Sequence, residues 1–474
     1  MKLLRVLIVL VSLRVFFWFT AFPNSDEAYY WWWSKISSSS YYDHPPLFAW
    51  LQSLVTLVFN NSLFGLRLSN LFTNCLFFYT YWHLLQYLYG SNGRSYFITI
   101  LVIILCSPLY FVMLALAWHD HLLITLCLAS SYWLLMYLDS YLYEAQPRDW
   151  QFYLAVWLIS LAVITKYNAL LMGLGFLATI LSQPQLRLLV TFRRVTITSG
   201  IIFITLSPVI VWNFQNNFPS FNYYLNRSLE GGDPIQRILE PLGFLGISII
   251  MVSPFISWLF WRAGRLNLQL REGKTIYYQL AWSCFFSSTV ILGIVSLFST
   301  AYYYWNITAY LLLFPLLPSL IKHKNFYRPL VSYGIIFALL FTFNYTVFPI
   351  SALWSKDGDQ DGRMLFGWQS VQAEIYKLTS RPSIITTDYR SASALAFQLN
   401  TTAVTVVSQR ISHFNFYQPN QLPNILLWDD WYPLTEIVRQ KLNIDFSRQT
   451  TISIYRFGVF IKNYYLAPIL STTP

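Results

Sequence analysis

Charged side chains make up only 11% of this 474-residue chain, where soluble domains carry roughly 25%. That shortage excludes an ordinary water-facing surface and leaves much of the exterior to another solvent. Cysteine is also scarce: Cys75, Cys106, Cys127 and Cys284 lie inside apolar runs with no CxxC or ligand spacing. A disulfide framework and a cysteine-built zinc site are thereby excluded, and the redox compartment cannot be read from cysteine. No internal repeat is evident, which argues against an inverted-repeat transporter. The net charge of +11 is not gathered into a patch. Its lysines and arginines sit in short loops between apolar runs, so membrane orientation rather than nucleic-acid binding is the expected use of that charge.

What fills the chain instead is apolar: 56% of residues are hydrophobic and 19% aromatic. A span needs about 20 mostly apolar residues to cross roughly 30 Å of hydrocarbon. Eleven segments qualify, at about 4–22, 66–89, 95–114, 118–138, 151–165, 168–183, 195–212, 241–261, 277–298, 303–320 and 329–349, the fifth and sixth being short enough to read also as differently tilted or partly re-entrant. The first follows Lys2 and Arg5 and lacks a small-x-small cleavage site, so it reads as an uncleaved span. With the N-terminus cytoplasmic, the inner loops carry Arg94, Arg148, Arg187/Arg193/Arg194, Arg262/Arg265/Arg271/Lys274 and Lys322/Lys324/Arg328. The outer short loops carry only Lys35, Arg67, Lys166, Arg227 and Arg237. The positive-inside rule is met in every inner loop.

An odd number of spans places the stretch from about Ser351 outside. Charges become frequent there and apolar runs shorten. Strands are expected at 383–387, 403–407, 425–428 and 451–455, and helices at 364–378, 391–399 and 434–442. The expected architecture is an α-helical polytopic membrane protein, with residues 1–350 as the transmembrane catalytic domain. Residues 351–474 form a small C-terminal extracytoplasmic α/β domain.

The first outer loop, 23–61, concentrates unusual residues. Asp26-Glu27 stands at the membrane surface, followed by Ala28-Tyr29-Tyr30-Trp31-Trp32-Trp33 and then Tyr41-Tyr42-Asp43-His44-Pro45-Pro46-Leu47. The aromatic run suits an interfacial helix, since tryptophan and tyrosine favour the headgroup zone. Pro45-Pro46 stops the chain and starts an apolar helix over 47–59, too short to cross. Alone, the carboxylate pair also reads as a solvated loop end, and Asp43 as the cap of a turn.

Together, Asp26-Glu27-Ala28-Tyr29-Tyr30 and Tyr41-Tyr42-Asp43-His44-Pro45-Pro46-Leu47 resemble the dolichyl-phosphate-mannose-protein mannosyltransferase family and its bacterial aminoarabinose-transferase-like relatives. Phe64-Gly65-Leu66-Arg67-Leu68, Asp120, Ala162-Val163-Ile164-Thr165-Lys166-Tyr167 and Pro208-Val209-Ile210-Val211-Trp212-Asn213 agree further along. Gly367-Trp368 and Asp388-Tyr389 extend the likeness into the outer domain. The resemblance implies a type C glycosyltransferase fold, a sugar donor on polyprenyl phosphate, and inversion at the anomeric carbon. The family's first-loop aspartate, its general base, maps onto Asp26. Where the lipid A enzymes read Glu-Lys-Pro-Pro, this chain has Asp43-His44-Pro45-Pro46, which departs from an aminoarabinose specificity.

The chemistry can be argued independently. A carboxylate within hydrogen-bond reach of an acceptor hydroxyl contributes roughly 10²–10⁴-fold as general base; Asp26 is the candidate, with Glu27 as orienting neighbour or cation partner. Positive donors aimed at the leaving phosphate stabilise the transition state, and His44, Arg67 and Lys166 are candidates. Lys166 has an alternative as a snorkelling lysine, and Arg67 as a contact to lipid phosphates. His119-Asp120-His121 is a poor metal triad, because adjacent helical residues point about 100° apart; Asp120 alone reads as a sugar or cation contact. Asp43 is a candidate ligand for a divalent cation, and no other cofactor is expected. Arg14, mid-span, is expected to face the bundle interior and be paired. The loop after Trp212-Asn213, with Phe221, Tyr223, Tyr224 and Arg227, is aromatic enough to bind sugar or lipid. The expected partners are a polyprenyl-phosphate sugar, a lipid, glycan or protein acceptor, and membrane lipids, with no nucleic acid. A bacterial inner membrane with the site on the periplasmic face fits best. A lipid-linked-sugar flippase and an inactive binding relative are the rival readings.

Overall fold

The computed structural model describes residues 2–59, 61–144, 147–223, 234–265, 275–318, 320–321, 324–355 and 358–470. The chain divides into two compact units, each built from separated stretches. One comprises Met1–Arg14, His44–Phe48 and Asn70–Leu339; the other comprises Val15–Asp43, Ala49–Ser69 and Leu340–Pro474.

The first unit is helical. Its helices are, in chain order, the start of α1 (Lys2–Thr20), most of α4 (Leu63–Tyr89), α5 (Gly93–Leu105), α6 (Pro108–Ala115), α7 (His119–Tyr143), α8 (Asp149–Val163), α9 (Ala169–Ser182), α10 (Phe192–Gln215), α11 (Pro234–Val252), α12 (Pro254–Arg265), α13 (Thr275–Val295) and most of α14 (Lys324–Thr346). Among the described residues of the whole chain, six helices are long and apolar enough to cross a membrane, or seven if the bent pair α11–α12 is one span. The difference from eleven has a structural cause. Proline after serine breaks two expected spans, at Ser107-Pro108 and at Ser253-Pro254, where the chain bends by 101°; proline removes a helical donor and clashes with the preceding turn. Helices α8 and α9, with 15 and 14 residues, fall short of the roughly 20 a bilayer requires.

The segment expected as a span at 303–320 is not an α-helix. It forms two 3₁₀ stretches, Tyr303–Tyr310 and Phe314–Leu316. Irregular backbone is tolerated at membrane depth only where protein satisfies it. Tyrosine hydroxyls do so here: Tyr110 donates to Ile307 O, Tyr81 to Leu311 O, Tyr277 to Leu312 O and Tyr89 to Pro315 O. The break between α6 and α7 is closed similarly. Leu114 O accepts from Arg14, Asn70 and Asn74, and Leu116 O from Asn70. Arg14 therefore spends its charge on carbonyls freed by a broken helix. Helix α7 packs on α8, and α9 on α13. The last contact needs Gly175, since a Cβ there would lie 2.5 Å from Cys284 Cα.

The second unit pairs the first-loop helix α2 (Ser25–Lys35) with an α/β layer. A five-stranded sheet has the order β2-β1-β3-β5-β4, with β1 (Ile384–Thr386), β2 (Val404–Val406), β3 (Ile425–Asp429), β4 (Thr450–Arg456) and β5 (Val459–Pro468). Strand β1 runs parallel to β2 and β3; β5 runs antiparallel to β3 and β4. The period-2 rule sorts the side chains. Ile384, Ile425, Leu427, Ile452 and Leu466 pack with residues of α15 (Trp368–Leu378) and α16 (Tyr389–Leu399). Ile385, Leu426, Trp428 and Ala467 pack on the other face with Leu434 and with Val438 of α17 (Glu436–Lys441). Both faces are covered, so β3 is buried along its whole length, as parallel strands usually are. Gly367, ahead of α15, has φ +95°, and a Cβ there would meet Ile454 at 2.5 Å. Strand β5 was not among the expected elements.

The aromatic run of α2 departs from the sequence expectation. Trp31, Trp32 and Trp33 are buried at 1%, 0% and 0% exposure rather than spread at an interface. Helix α2 packs on α16, Trp31 meets Phe397 edge-on, and Trp32 stacks on Phe414 with ring centroids 3.8 Å apart. The α/β layer supplies the apolar surroundings that a headgroup zone was expected to give.

Candidate functional site

Asn24 starts α2 through a capping box: Glu27 N–H donates to Asn24 Oδ1 (2.9 Å) and Asn24 N–H to Glu27 Oε2 (3.1 Å). That cap sets Asp26 in the first turn, where the helix axis favours negative charge. Asp26 is half-buried, and Tyr389 OH donates to its Oδ1 at 3.3 Å. Its carboxyl is pushed above the usual range, first by burial and then by Asp361, while Arg390, Arg410 and the Tyr389 hydrogen bond pull it back. A carboxylate tuned upward is the state a general base at neutral pH requires.

Asp43 joins this cluster. Tyr29 OH donates to its Oδ2 at 2.7 Å and accepts from His413 N–H at 2.6 Å. Arg410 comes within 4.0 Å of Asp43 Oδ1 and lies 4.2 Å over the Tyr389 ring. His413 Nδ1 accepts from Tyr42 N–H (3.2 Å), and burial pushes the imidazole down to about 3, which keeps it a neutral acceptor. A phenol donor and a guanidinium beside Asp43 do not fit a divalent cation, which wants several anionic or carbonyl oxygens. Among the described residues no group of three His, Cys, Asp or Glu side chains could hold a metal ion.

Arg67 is placed differently from the phosphate-facing role expected of it, whereas Glu27 has a cation as its partner, one of the roles expected of it. Both are fully buried, in a bidentate pair: Arg67 Nε to Glu27 Oε1 at 2.8 Å and Nη2 to Oε2 at 2.7 Å. Arg67 also donates to Ala21 O at 2.8 Å, and its guanidinium carbon lies 4.4 Å from the Phe17 ring centroid. A fully buried guanidinium bound to carboxylate does not face lipid phosphate. The pair clasps the turn between α1 and α2, and so holds Asp26 in place.

In the first unit, Lys166 is buried and bidentate to Asp120, 2.9 Å to each oxygen. The snorkelling alternative is thereby removed. Its Nζ also lies 5.0 Å over Tyr304. The rings of His44 and His119 meet at a tilt with centroids 4.5 Å apart, Phe48 packs against the rings of His119 and His121, and His121 Nδ1 shares a 2.8 Å hydrogen bond with Thr73. His119 and His121 thus share Phe48 as a neighbour, whereas Asp120 is taken by Lys166. Trp212 and Asn213 are buried and Phe221 is exposed. Arg227 and Tyr224 lie outside the described residues. Asn306 is a buried strut bonded to Ser288, Thr289 and Tyr310.

Sequence reasoning missed Asp361, Arg390, Arg410 and His413, although Asp388-Tyr389 was noted. Their only local signal is a cluster of charge and aromatics in a region read as short strands and helices. Their meaning comes from meeting a helix more than 300 positions away, for example across the separation of 363 between Asp26 and Tyr389.

The comparisons with known proteins agree with the resemblance read from the sequence. Residues 43–212 match the profile of the family described as dolichyl-phosphate-mannose-protein mannosyltransferase. Nothing among curated proteins matches the chain. The fold is similar to that of ArnT from Cupriavidus metallidurans bound to undecaprenyl phosphate, with 13% identity, TM-score 0.63 and 98% of each chain covered. It is similar also to the apo state of that protein, with 13% identity, TM-score 0.60 and 97% of each chain covered. At such identity the likeness is one of fold alone, that of a polytopic helical membrane protein.

Proposed function

We propose that this chain is a membrane glycosyltransferase that moves a sugar from a polyprenyl-phosphate donor to an acceptor hydroxyl, with inversion and with Asp26 as general base. The observation that carries the proposal is the half-buried Asp26 carboxyl at the start of α2, raised above its usual range and hydrogen-bonded by Tyr389, with the charges of Arg390 and Arg410 opposing the rise. The family profile over residues 43–212 and the likeness to a structure bound to undecaprenyl phosphate support the donor class.

The step balances as a single displacement. The acceptor oxygen bonds to the anomeric carbon, its proton passes to Asp26, and the bond from that carbon to the phosphate oxygen breaks, leaving its electron pair on the lipid phosphate. Attack from the face opposite the departing phosphate inverts the centre. Asp43 and Tyr29 support the cluster by fixing Arg410 and the 413–417 segment. Glu27 and Arg67 act as positioning residues. The N-terminus is assigned to the cytoplasm and this cluster to the outer face, in a bacterial inner membrane, because the basic loops fall on the other side. Nucleotide sugars are confined to the cytoplasm, which fits a lipid-linked donor.

The experiment is direct. Purified protein in nanodiscs is incubated with a panel of polyprenyl-phosphate sugars, and release of the free lipid phosphate is measured. One donor should be consumed, and Asp26→Asn should lower turnover by roughly 10²–10⁴-fold while accumulating normally. Unchanged turnover in Asp26→Asn removes the base assignment. Sugar moved across the bilayer without cleavage from its lipid supports the flippase reading instead.

A further inference from the structure

The second unit contains a cavity of about 410 Å³ whose lining includes Asp388, Tyr389, Arg390, Arg410, Trp431 and Tyr432. These residues follow β1, β2 and β3, so the cavity opens at the carboxyl ends of the three parallel strands. The order β2-β1-β3 sends the connection after β1 through α16 to one side, while β3 lies on the other. Open α/β sheets bind ligands in the crevice where connections diverge in this way. The volume is at the lower end of the roughly 300–1,000 Å³ of small-ligand pockets, suited to one or two sugar rings.

Three features give the cavity a chemistry. Arg390 and Arg410 bring guanidinium charge; Arg410 covers the Tyr389 ring at 4.2 Å, and Arg390 meets Tyr432 OH. Tyr389, Trp431 and Tyr432 offer aromatic surface on which the apolar face of a sugar ring can lie. Asp388 caps α16 through Oδ1, which accepts from Arg390 N–H (2.8 Å) and Ser391 N–H (3.0 Å). Its Oδ2 has no hydrogen-bond partner among the described residues, although the residue is only 4% exposed. A buried carboxylate oxygen left unpaired is costly unless a ligand donor fills the place. One wall, Tyr389, also donates to Asp26.

We infer that this cavity is the acceptor subsite and that it takes a glycan unit bearing an acidic group, a carboxylate or a phosphate. The arginines receive the anion, the aromatic walls the ring, and Asp388 a sugar hydroxyl. The inference rests on the proposed transferase reading, and it names the class of acceptor for that reaction: an acidic glycan rather than a peptide hydroxyl.

The test is calorimetric titration of the full chain in nanodiscs with methyl glucoside, methyl glucuronide, glucose 6-phosphate and inorganic phosphate. At least one of the two acidic sugars should bind at least tenfold tighter than methyl glucoside and tighter than phosphate alone; which one does so separates the carboxylate from the phosphate source. Ser408→Trp, which fills the cavity, should weaken that binding at least tenfold, and Gln409→Glu should weaken the acidic probe more than the neutral one. Equal binding of neutral and acidic probes, phosphate matching the tighter of the two acidic sugars, or wild-type binding in Ser408→Trp each overturns the inference, as does the absence of binding by all four. A failure of Asp26→Asn to lose transfer speaks against the base alone and leaves these binding results standing.

Discussion

Under the proposed role Asp26 acts as a base only when ionised, so activity should fall as pH drops through its pKa, which burial and Asp361 hold above the usual carboxylate range. Arg390 and Arg410 oppose that rise. Arg390→Gln should therefore move the acidic limb of the pH–rate profile to higher pH; an unmoved or downward-shifted limb would remove Arg390 from the electrostatics of Asp26. The Glu27–Arg67 pair makes a different prediction. Both side chains are fully buried, and removing one partner from such a pair costs about 3–5 kcal/mol because a charge is stranded. Glu27→Gln should lower the unfolding temperature markedly in detergent, and Glu27→Gln with Arg67→Met should recover part of the loss. A double variant that loses as much as the two single variants added together would mean that the pair is not coupled. Asp26 and Asp43 stood out in the sequence because carboxylates are rare there and neighbour aromatic and proline runs. Arg67 and Lys166 stood out too, but their roles did not: a cation at a helix end looks alike whether it meets lipid or a buried carboxylate.

Helices were legible wherever an apolar run was long enough for length alone to decide. They were misread where buried polar partners decide instead. The run at 303–320 is as apolar as a span, yet its carbonyls are met by the hydroxyls of Tyr81, Tyr89, Tyr110 and Tyr277, contacts that no local pattern announces. Tyr110→Phe should cost about 1–3 kcal/mol by leaving Ile307 O unsatisfied, measurable as a shift in thermal unfolding; a neutral effect would mean that water or another donor takes the place. Helix α2 shows the same limit. Tryptophans at 31–33 carry the composition of an interfacial belt and the burial of a core. Trp32→Ala, which removes a ring stacked on Phe414, should destabilise by about 3–5 kcal/mol, far more than an interfacial tryptophan would. A loss under 1 kcal/mol would restore the interfacial reading. In the α/β layer, four strands are close to where alternation put them, whereas β5 begins at a Phe457-Gly458 turn of positive φ and its sequence lacks a clean period.

On the scale of the whole molecule, composition was enough to identify a membrane protein, and two short motifs were enough to suggest its family. The composition of the units was not legible, because it depends on stretches far apart in the chain. The second unit gathers Val15–Asp43, Ala49–Ser69 and Leu340–Pro474. During synthesis the first two emerge early and the third last. At about 5–20 residues per second the interval is on the order of tens of seconds. For that time α2, with three tryptophans whose burial depends on α16 and on Phe414, has no native surface to cover it. A chain stopped after residue 350 should therefore show α2 open to proteolysis, whereas the complete chain protects it; equal protection would mean that α2 finds cover without the α/β layer. The candidate base is thus set in place only after residues 340–470 have been made, and a chain stopped before them is expected to lack transfer activity.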